Sequence, residues 1–396
     1  MMPAIVDRVH IHRLHIPLRR RVSHAATSRD TSEPIIVSVE LRNGTVGYGE
    51  TLPRKYVTGE DTETAVATIG RVFVPVLAEF HADRFPDALA AIEALPWTDE
   101  HGVPVPAARA AVEMALLDAT LRCFDRQMDD VVAWMGLPGF GSPGALSSIR
   151  FSGVLAGNDT ARTLKRLRWM YWYGLRHFKL KVGTTGDRER LVGVARYLDR
   201  AIRRGKASLR VDANGAWSKD EAIEWLGDSA DLAIACVEQP LAKGSEADLP
   251  ILHDLFSFRL MHDESLVTMN DAERLIALGV AGGFNIRLSK CGGMLPSLRI
   301  AARARRSEIP IMMGCMVGET SILSSAGLHF LQVCPGVDWA EGCFGSLLLT
   351  ADVTRRGLRF GIGGRPPRIP KGGISGDVDE ARLARLGDTD PVVVKL

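Results

Sequence analysis

The sequence predicts an α/β protein in which a parallel β/α barrel follows a smaller antiparallel α+β domain. Eight short apolar runs alternate with helical runs from about Ile149 onward, which is the pattern of a closed parallel barrel. In roughly the first hundred residues, apolar and polar residues alternate instead, as in antiparallel strands. Charged residues also end several of the apolar runs at intervals of about 25 residues, close to the length of one strand, one helix and two loops.

The N-terminal part is predicted to form a sheet followed by helices. Its predicted strands are residues 5–18, 34–41 and 46–50, with a turn at Arg42-Asn43-Gly44-Thr45. Its predicted helices are residues 60–79, 87–95 and 106–122, the last with an apolar stripe. This part is therefore expected to be an α+β domain of its own.

The barrel is predicted to contain eight strands and seven intervening helices. The strands are residues 149–154, 177–182, 208–211, 233–237, 259–262, 283–288, 310–314 and 338–340. The helices are residues 160–173, 187–204, 218–228, 248–256, 269–278, 294–307 and 320–334. The glycine- and proline-rich tail ends in a short helix near 379–386 and is expected to return to the first domain. The predicted divisions are residues 1–125, 126–356 and 357–396.

Composition excludes several classes of function. The 396-residue chain has a formal net charge of +2, which does not favour binding to nucleic acid or to an anionic membrane. No apolar stretch reaches the roughly 18 residues that span a bilayer. The six cysteines form no Cys-x-x-Cys pair, and the ten histidines lack zinc-ligand spacing. We therefore expect reduced cysteines, no zinc and a cytoplasmic location.

Charged residues end the second to sixth predicted barrel strands. They are Lys179, Lys181, Asp212, Glu238, Asp263 and Lys290. Because the catalytic groups of such barrels lie where strands end, these side chains are expected to share one site. Residues two apart on a strand share a face, so Lys179 and Lys181 should both point into the barrel and repel each other, which is expected to lower at least one pKa. Lys290 is expected to lie across the cavity.

The residue types favour a divalent cation with proton-transfer groups around it. Three carboxylates suit Mg2+, and burying three without a cation would be costly. Capping of the following helices would explain one of them but explains three poorly. A cation beside opposed lysines fits removal of a proton alpha to a carboxylate, with Lys179 and the cation stabilising the enediolate. Lys181 would remove the proton, and Lys290 would return one to the opposite face and invert the carbon.

Five motifs occur in an order that resembles the enolase superfamily, muconate-lactonizing-enzyme subgroup. They are Lys179-Leu180-Lys181, Asp212-Ala213-Asn214, Glu238-Gln239-Pro240, Asp263-Glu264-Ser265 and the run Asn285-Ile286-Arg287-Leu288-Ser289-Lys290-Cys291-Gly292-Gly293. The resemblance covers nearly the whole chain. It implies a modified TIM barrel, (β/α)7β, under an α+β capping domain, and it makes a homo-oligomer the expected assembly.

The resemblance also implies the roles of the shared residues. Asp212, Glu238 and Asp263 would hold Mg2+, for which Mn2+ is expected to substitute. Lys181 and Lys290 would act as general acid and base, and Lys179 would give electrostatic support. The motif positions Asn214 and Glu264 would lie behind the metal ligands or reach the metal through water.

Substrate choice in the family is attributed to two loops of the capping domain and to the ends of the last barrel strands. The matching loops are residues 19–29 and 51–56, so His24, Arg29 and Arg54 are candidates to hold a second anionic or polar end of a small carboxylate substrate.

Residues near the seventh and eighth strands add to the candidates. Glu319 follows the seventh strand, where many subgroup members carry an acid. Dipeptide epimerases resemble the eighth-strand region but usually carry Asp-x-Asp where this chain has Gly342 and Phe344. That departure counts against an unblocked dipeptide, although Asp338 or Glu341 could substitute from a shifted position.

Three functions agree with these observations to different degrees. The leading interpretation is a Mg2+-dependent racemase or epimerase acting on a carboxylate with an alpha proton, such as an N-acyl amino acid or a dipeptide. The second is a muconate-type cycloisomerase or syn-dehydratase with the same enediolate chemistry, in which one lysine is the base and the other stabilises charge. The third is a barrel that binds without catalysis, and the presence of all three carboxylates and both acid/base lysines argues against it.

Overall fold

The computed structural model describes residues 3–24, 27–141 and 145–396, and its strands form one antiparallel sheet, one hairpin and one parallel barrel. The strands of the N-terminal domain are β1 (Ala4–Arg13), β2 (Ile16–His24), β3 (Thr27–Ser32), β4 (Ile35–Leu41), β5 (Val46–Thr51) and β6 (His81–Ala82). The C-terminal strand β15 (Val392–Lys395) pairs with β1, so the main sheet has the order β15-β1-β4-β5, with β6 beside β1. The strands β2 and β3 form a separate hairpin. The tail of the chain therefore joins the first sheet.

Helical segments follow strand β5 in the chain, before the barrel begins. They are α1 (Lys55–Thr58), α2 (Thr62–Thr68), a π-helical turn (Ile69–Phe73), α3 (Val74–Ala78), α4 (Phe85–Glu93), α5 (Pro106–Cys123), α6 (Met128–Trp134) and α7 (Ala145–Ser148). The predicted helix over 60–79 forms as one helical run over residues 62–78 that contains the π-helical turn. The predicted strand over 5–18 is interrupted: it ends at Arg13 and resumes at Ile16.

Helix α5 is buried on nearly all sides, whereas a single apolar stripe was predicted. Its many alanines allow strand β5 to approach closely. A Cβ atom on Gly49 would lie 2.0 Å from the carbonyl oxygen of Ala111, and one on Gly47 would lie 2.1 Å from the amide nitrogen of Ala119. The helix fills the space between the sheet and the barrel, so burial on every side replaces the expected amphipathic pattern.

The barrel contains eight parallel strands in sequence order, as predicted. They are β7 (Gly153–Leu155), β8 (His177–Lys181), β9 (Ser208–Asp212), β10 (Cys236–Glu238), β11 (Leu260–His262), β12 (Gly283–Ile286), β13 (Ile311–Met313) and β14 (Val337–Ala340). The helices around them are α8 (Thr160–Trp172), α9 (Asp187–Arg203), α10 (Lys219–Asp228), α11 (Leu249–Leu255), α12 (Met269–Ala277), α13 (Met294–Arg306) and α14 (Ser321–Val333). Two short helices, α15 (Gly345–Leu348) and α16 (Glu380–Leu386), follow strand β14. One 3-10 turn lies before α11, at Glu246–Asp248, and another lies in the tail, at Ile362–Gly364. The α/β fold class is therefore confirmed.

The first barrel strand lies later than predicted. Residues 149–152 were expected to belong to it, but the strand begins at Gly153. The preceding residues close the barrel instead: Phe151 forms a parallel bridge with Ala340, and the amide of Ser152 donates to the Ala340 carbonyl. Phe151 also stacks on Phe360 of the tail at 6.0 Å. Apolar alternation alone does not distinguish such a closing segment from a strand.

Local capping explains why several barrel helices begin where the sequence predicted. Asp159 accepts a hydrogen bond from the amide of Arg162, two residues into helix α8. Ser218 and Glu221 form a reciprocal capping box at the start of α10. These caps place the loops that leave the carboxyl ends of the strands. Among the described residues, none of the helices has both the length and the apolarity needed to cross a membrane.

Candidate active site

The charged residues at the strand ends face one another in two adjacent layers of the barrel. Strand pairing sets Lys181 beside Asp212, and Asp212 beside Glu238. One layer deeper, the same ladders set Lys179 beside Arg210. The predicted alternation along β8 therefore directs both lysines into the barrel, where parallel pairing assembles them with the carboxylates.

Lys181 lies in the same layer as Asp212 and Glu238 and is partly accessible to solvent. Its Nζ lies 2.8 Å from Asp212 Oδ2 and 2.6 Å from Asn214 Oδ1. Its side chain is 15% exposed, against 2% for that of Lys179. Asn214 has a left-handed backbone, with φ of 49°, and its side-chain Nδ2 donates a hydrogen bond to Glu264 Oε1. Lys181 is thus the more accessible of the two strand lysines.

Lys179 is surrounded by three carboxylates. Its Nζ lies 2.8 Å from Glu341, 3.2 Å from Asp212 and 3.2 Å from Glu238. Burial acts to lower its pKa, but these carboxylates outweigh burial and raise the pKa well above the usual range. Repulsion between Lys179 and Lys181 had been predicted to lower the pKa of at least one of them, whereas the pKa of Lys179 is raised. Lys179 therefore suits a fixed positive charge rather than a base.

The carboxylates are fully buried and differ in pKa because their neighbours differ. Burial acts to raise the pKa of Asp212, but Lys181 and Lys179 outweigh it and hold the pKa well below the usual range. For Glu238, burial and the neighbouring Asp212 raise the pKa to about 8. Burial and Asp263 raise the pKa of Glu264 to about 7. Negative charges thus crowd at this end of the barrel.

Lys290 lies on the other side of the carboxylate row. Its Nζ contacts Asp263 Oδ1 at 3.0 Å, the Asp263 carbonyl at 2.6 Å and the Asn285 carbonyl at 2.8 Å. Strands β9, β10 and β11 separate it from the strand that carries Lys179 and Lys181. The structure therefore has lysines on both sides of the predicted metal ligands.

An arginine that the sequence analysis did not single out also enters the site. The Arg287 guanidinium contacts Asp263 and lies 3.9 Å from Glu238 Oε1. Burial acts to raise the pKa of Asp263, but Arg287 and Lys290 outweigh it and lower the pKa. In the part of the chain that the structure describes, no three histidine, cysteine or acidic side chains are arranged to hold a metal ion. Basic side chains lie against the carboxylates instead.

The donor atoms nevertheless fit a hard divalent cation. Asp212, Glu238 and Asp263 are each 0% exposed, and their oxygens are the ligand type that Mg2+ prefers. Beside them, Glu264 Oε2 is buried without a hydrogen-bond partner. Buried carboxylates of this number are costly unless cations compensate them, and a bound Mg2+ would add to the compensation that the neighbouring lysines and Arg287 provide.

The capping domain holds the loop that carries Lys290. Ser289 Oγ lies 2.8 Å from Thr51 Oγ1 and accepts a hydrogen bond from the amide of Leu52. Arg109 of helix α5 donates to the Gly292 carbonyl at 2.6 Å. Glu113, on the same helix, accepts bonds of 2.9 and 2.8 Å from the amides of residues 294 and 295. These contacts have no local sequence signal, because they join residues far apart in the chain.

Of the candidates for the distal end of a substrate, Arg54 is well described. It is 4% exposed, and its guanidinium donates to the carbonyls of Pro53 and Val317. None of the ion pairs between described residues involves Arg54 or Arg29, and Arg29 Nε is buried without a partner. Burial and the charge of Arg29 lower the pKa of Arg54 to about 10. The backbone of His24 ends strand β2, but its side chain lies outside the described part of the chain.

Of the acidic candidates, Glu319 and Glu341 line the same cavity, whereas Asp338 lies elsewhere. Arg287 also lines this cavity, and burial raises the pKa of Glu319 to about 8. Glu341 points inward to Lys179 and to Arg210, which the sequence analysis did not single out. Asp338 is exposed at the amino end of strand β14, where it accepts a bond from the amide of Ile311. The structure does not bring Asp338 to the carboxyl ends of the strands.

Family models match both parts of the chain. Residues 161–381 match the model described as enolase C-terminal domain-like, and residues 8–131 match the mandelate racemase / muconate lactonizing enzyme N-terminal domain. The chain belongs to the mandelate racemase / muconate lactonizing enzyme family of the enolase superfamily and is an isomerase of that superfamily.

Individual relatives differ in the reactions that their names state. The chain is 31% identical over 356 residues to an L-Lys-D/L-Arg epimerase of Methylococcus capsulatus, covering 87% of this chain and 91% of the relative. It is 28% identical over 363 residues to a muconate cycloisomerase of Acinetobacter lwoffii, covering 90% and 89%. The fold matches that of a dipeptide epimerase from Cytophaga hutchinsonii, solved with Mg and D-Ala-L-Val, with a TM-score of 0.83, 21% identity and coverage of 99% and 100%.

Proposed function

We propose that this protein is a Mg2+-dependent racemase or epimerase that removes and returns the proton alpha to a carboxylate. The observation that carries this proposal is the placement of Lys181 and Lys290 on opposite sides of Asp212, Glu238 and Asp263. Bases on two faces of one bound carbon allow inversion, whereas a base on one face allows only removal and return on that face.

Each residue then has a defined task. Asp212, Glu238 and Asp263 would hold Mg2+, whose positive charge would stabilise the substrate carboxylate as it gains electron density. Lys181 Nζ takes the alpha proton as the C–H bond breaks, and the electron pair moves into the carboxylate to give an enediolate. Lys179 holds its positive charge beside that carboxylate. The Lys290 ammonium donates a proton to the opposite face of the carbon.

Arg54 and Arg29 suggest the substrate class. They are cations of the capping domain, and no described acidic residue forms an ion pair with either. Arg54 contacts the loop after strand β13 through Val317, and the cap segment that carries it bonds to Ser289 beside Lys290. We infer a substrate with a second anionic or polar end, such as an N-acyl amino acid or a dipeptide with an acidic side chain.

A muconate-type cycloisomerase or a syn-dehydratase is the second candidate, and the hydrogen bonds of Lys290 favour it. The three acceptors around Lys290 can occupy all three protons of its ammonium group. A lysine held in this way suits charge stabilisation, with Lys181 as the single base. The similarity to a muconate cycloisomerase supports the same candidate.

Solvent deuterium exchange tests both candidates. The enzyme is incubated with Mg2+ in deuterated water, and proton NMR follows the signals of test substrates: dipeptides, N-acyl amino acids, muconates and sugar acids. For the racemase we expect loss of the alpha-proton signal with inversion of the centre, and a loss of turnover by about 100-fold or more in Lys181→Ala and Lys290→Ala. A new ring or double bond with retained configuration would replace the first candidate by the second. Removal of metal with a chelator is expected to abolish either reaction.

A further inference from the structure

Glu341 lies inside the barrel, and its two carboxylate oxygens contact two different cations. Oε2 lies 2.8 Å from Lys179 Nζ, and Oε1 accepts a 3.0 Å hydrogen bond from Arg210 Nη2. Glu341 is 6% exposed, and both cations are buried. A carboxylate shared by two buried cations is held in place, because any displacement would leave a buried charge without its partner.

Arg210 is in turn anchored from three sides of the barrel. Its Nη2 donates to Ser152 Oγ at 3.0 Å, just before strand β7, and its Nη1 contacts the sulfur of Met312 on β13. Its guanidinium lies 5.3 Å from the ring centre of Trp339 on β14. The position of Glu341 is therefore set by residues of the barrel interior, below the level of the proposed metal ligands.

Glu341 differs from the other two carboxylates that contact Lys179. Asp212 and Glu238 are proposed metal ligands, so their oxygens would be shared between Lys179 and Mg2+. Glu341 follows strand β14, which strands β7 and β8 separate from β9 in the closed barrel, and it is engaged by Arg210. Its contact with Lys179 therefore does not compete with metal binding.

We propose that Glu341, anchored by Arg210, is a positioning residue that keeps the Lys179 ammonium in the site when Mg2+ engages Asp212 and Glu238. The inference rests on the proposed function, because it assigns Lys179 to charge stabilisation in that reaction. It gives Glu341 a task other than the substrate contact first considered for it.

The test compares Glu341→Gln with wild type by kinetics, calorimetry and crystallography. The amide keeps the size of the side chain but removes its charge. We expect kcat for alpha-proton exchange to fall by about 100-fold, as for other misplaced catalytic groups, while KM and the Kd for Mg2+ stay within a factor of about 3. In crystals grown with Mg2+, Lys179 Nζ should contact residue 341 in the wild type and leave this position in the variant. Glu341→Asp, which keeps the charge, should recover part of the lost kcat.

The control is Glu60→Gln, which removes the charge of another buried carboxylate, one that accepts hydrogen bonds from the amides of Ala107 and Ala108. It should keep the kcat of the wild type. An unchanged kcat in Glu341→Gln, with Lys179 at its wild-type position, would overturn the inference. Absence of exchange in the wild type with every carboxylate would instead contradict the proposed function. The position of Lys179 in the two Mg2+-loaded crystals would still decide whether Glu341 positions it.

Discussion

Arg54 is a buried cation of the capping domain, and none of the ion pairs between described residues involves it. Burial of an arginine without a carboxylate partner is costly, so such a residue is commonly maintained for a ligand. The planar guanidinium has five donors, and the two carbonyls that it contacts among the described residues do not use all of them. These features make Arg54 the residue through which substrate class can be tested.

We predict that Arg54→Met raises KM selectively for substrates with a second carboxylate. Charge-assisted hydrogen bonds contribute about 1.5–3 kcal/mol, so KM should rise by about 10- to 100-fold, with a smaller change in kcat. The measurement compares N-acyl amino acids with a charged and an uncharged acyl end. Arg84→Met, at an exposed arginine paired with Asp87, is the control. Equal effects on both substrates would contradict recognition of a distal anion.

At the scale of elements, helix α5 connects the capping domain to the loop that carries Lys290. Glu113 accepts hydrogen bonds from the first amides of helix α13, and Arg109 holds the Gly292 carbonyl just before that helix. Gly293 has φ of 116°, and a Cβ atom there would lie 2.3 Å from Glu113 Oε2. The absence of a side chain at Gly293 thus makes room for the Glu113 carboxylate. A shift of the helix start would break the two hydrogen bonds to Glu113.

We predict that Glu113→Ala lowers the free energy of unfolding by about 2–4 kcal/mol, because it leaves two buried amides without partners at about 1–3 kcal/mol each. The measurement is urea unfolding at pH 8. Glu189→Ala removes an exposed acidic residue from the first turn of helix α9, and this control should change stability by less than about 0.5 kcal/mol. Equal losses in both variants would show that Glu113 does not hold α13.

At the scale of the whole molecule, buried acidic residues of the capping domain bind the amino ends of helices. Glu50 accepts bonds from residues at the start of helix α14, and Glu60 does the same for α5. Burial raises the pKa of each to about 7, and burial raises the pKa of Glu113 to about 6. The ordinary pKa of a glutamate is near 4.5. The folded protein therefore binds protons at these sites more tightly than the unfolded chain does.

These shifts predict that the contribution of these groups to stability decreases as pH rises. The contribution is complete below a pH of about 4.5 and is lost as pH passes through about 6 to 7, because the unfolded chain releases its protons first. Between about pH 5 and pH 8, the stability of the wild type relative to Glu60→Gln should fall by about 2 kcal/mol, since one unit of pKa corresponds to about 1.4 kcal/mol. Urea unfolding of both proteins at several pH values measures the difference. A difference that does not vary with pH, or that grows with it, would contradict the prediction.

The sequence determined the features of this protein that depend on side-chain alternation along a strand and on the spacing between strands. Alternation along β8 put Lys179 and Lys181 on one face, and the spacing of Asp212, Glu238 and Asp263 put them on successive strand ends. Strands of a parallel barrel end at one rim, so these local features were sufficient to predict that the residues share a site. The same reasoning gave the wrong start for the first barrel strand, because residues 149–152 take part in closing the barrel and in contacts with the tail.

Only the tertiary structure decided which partners the buried charges have. Glu341 and Arg210 are 131 residues apart, and nothing in either local sequence pairs them. The raised pKa of Lys179 follows from three carboxylates that arrive from strands β9, β10 and β14, whereas its neighbour Lys181 had suggested the opposite shift. The burial of Arg54 and the contact of Arg287 with the carboxylates of the site likewise result from tertiary packing. Side-chain alternation is a property of residues that are adjacent in the chain. Compensation of a buried charge depends on distances through space, and only folding sets those distances.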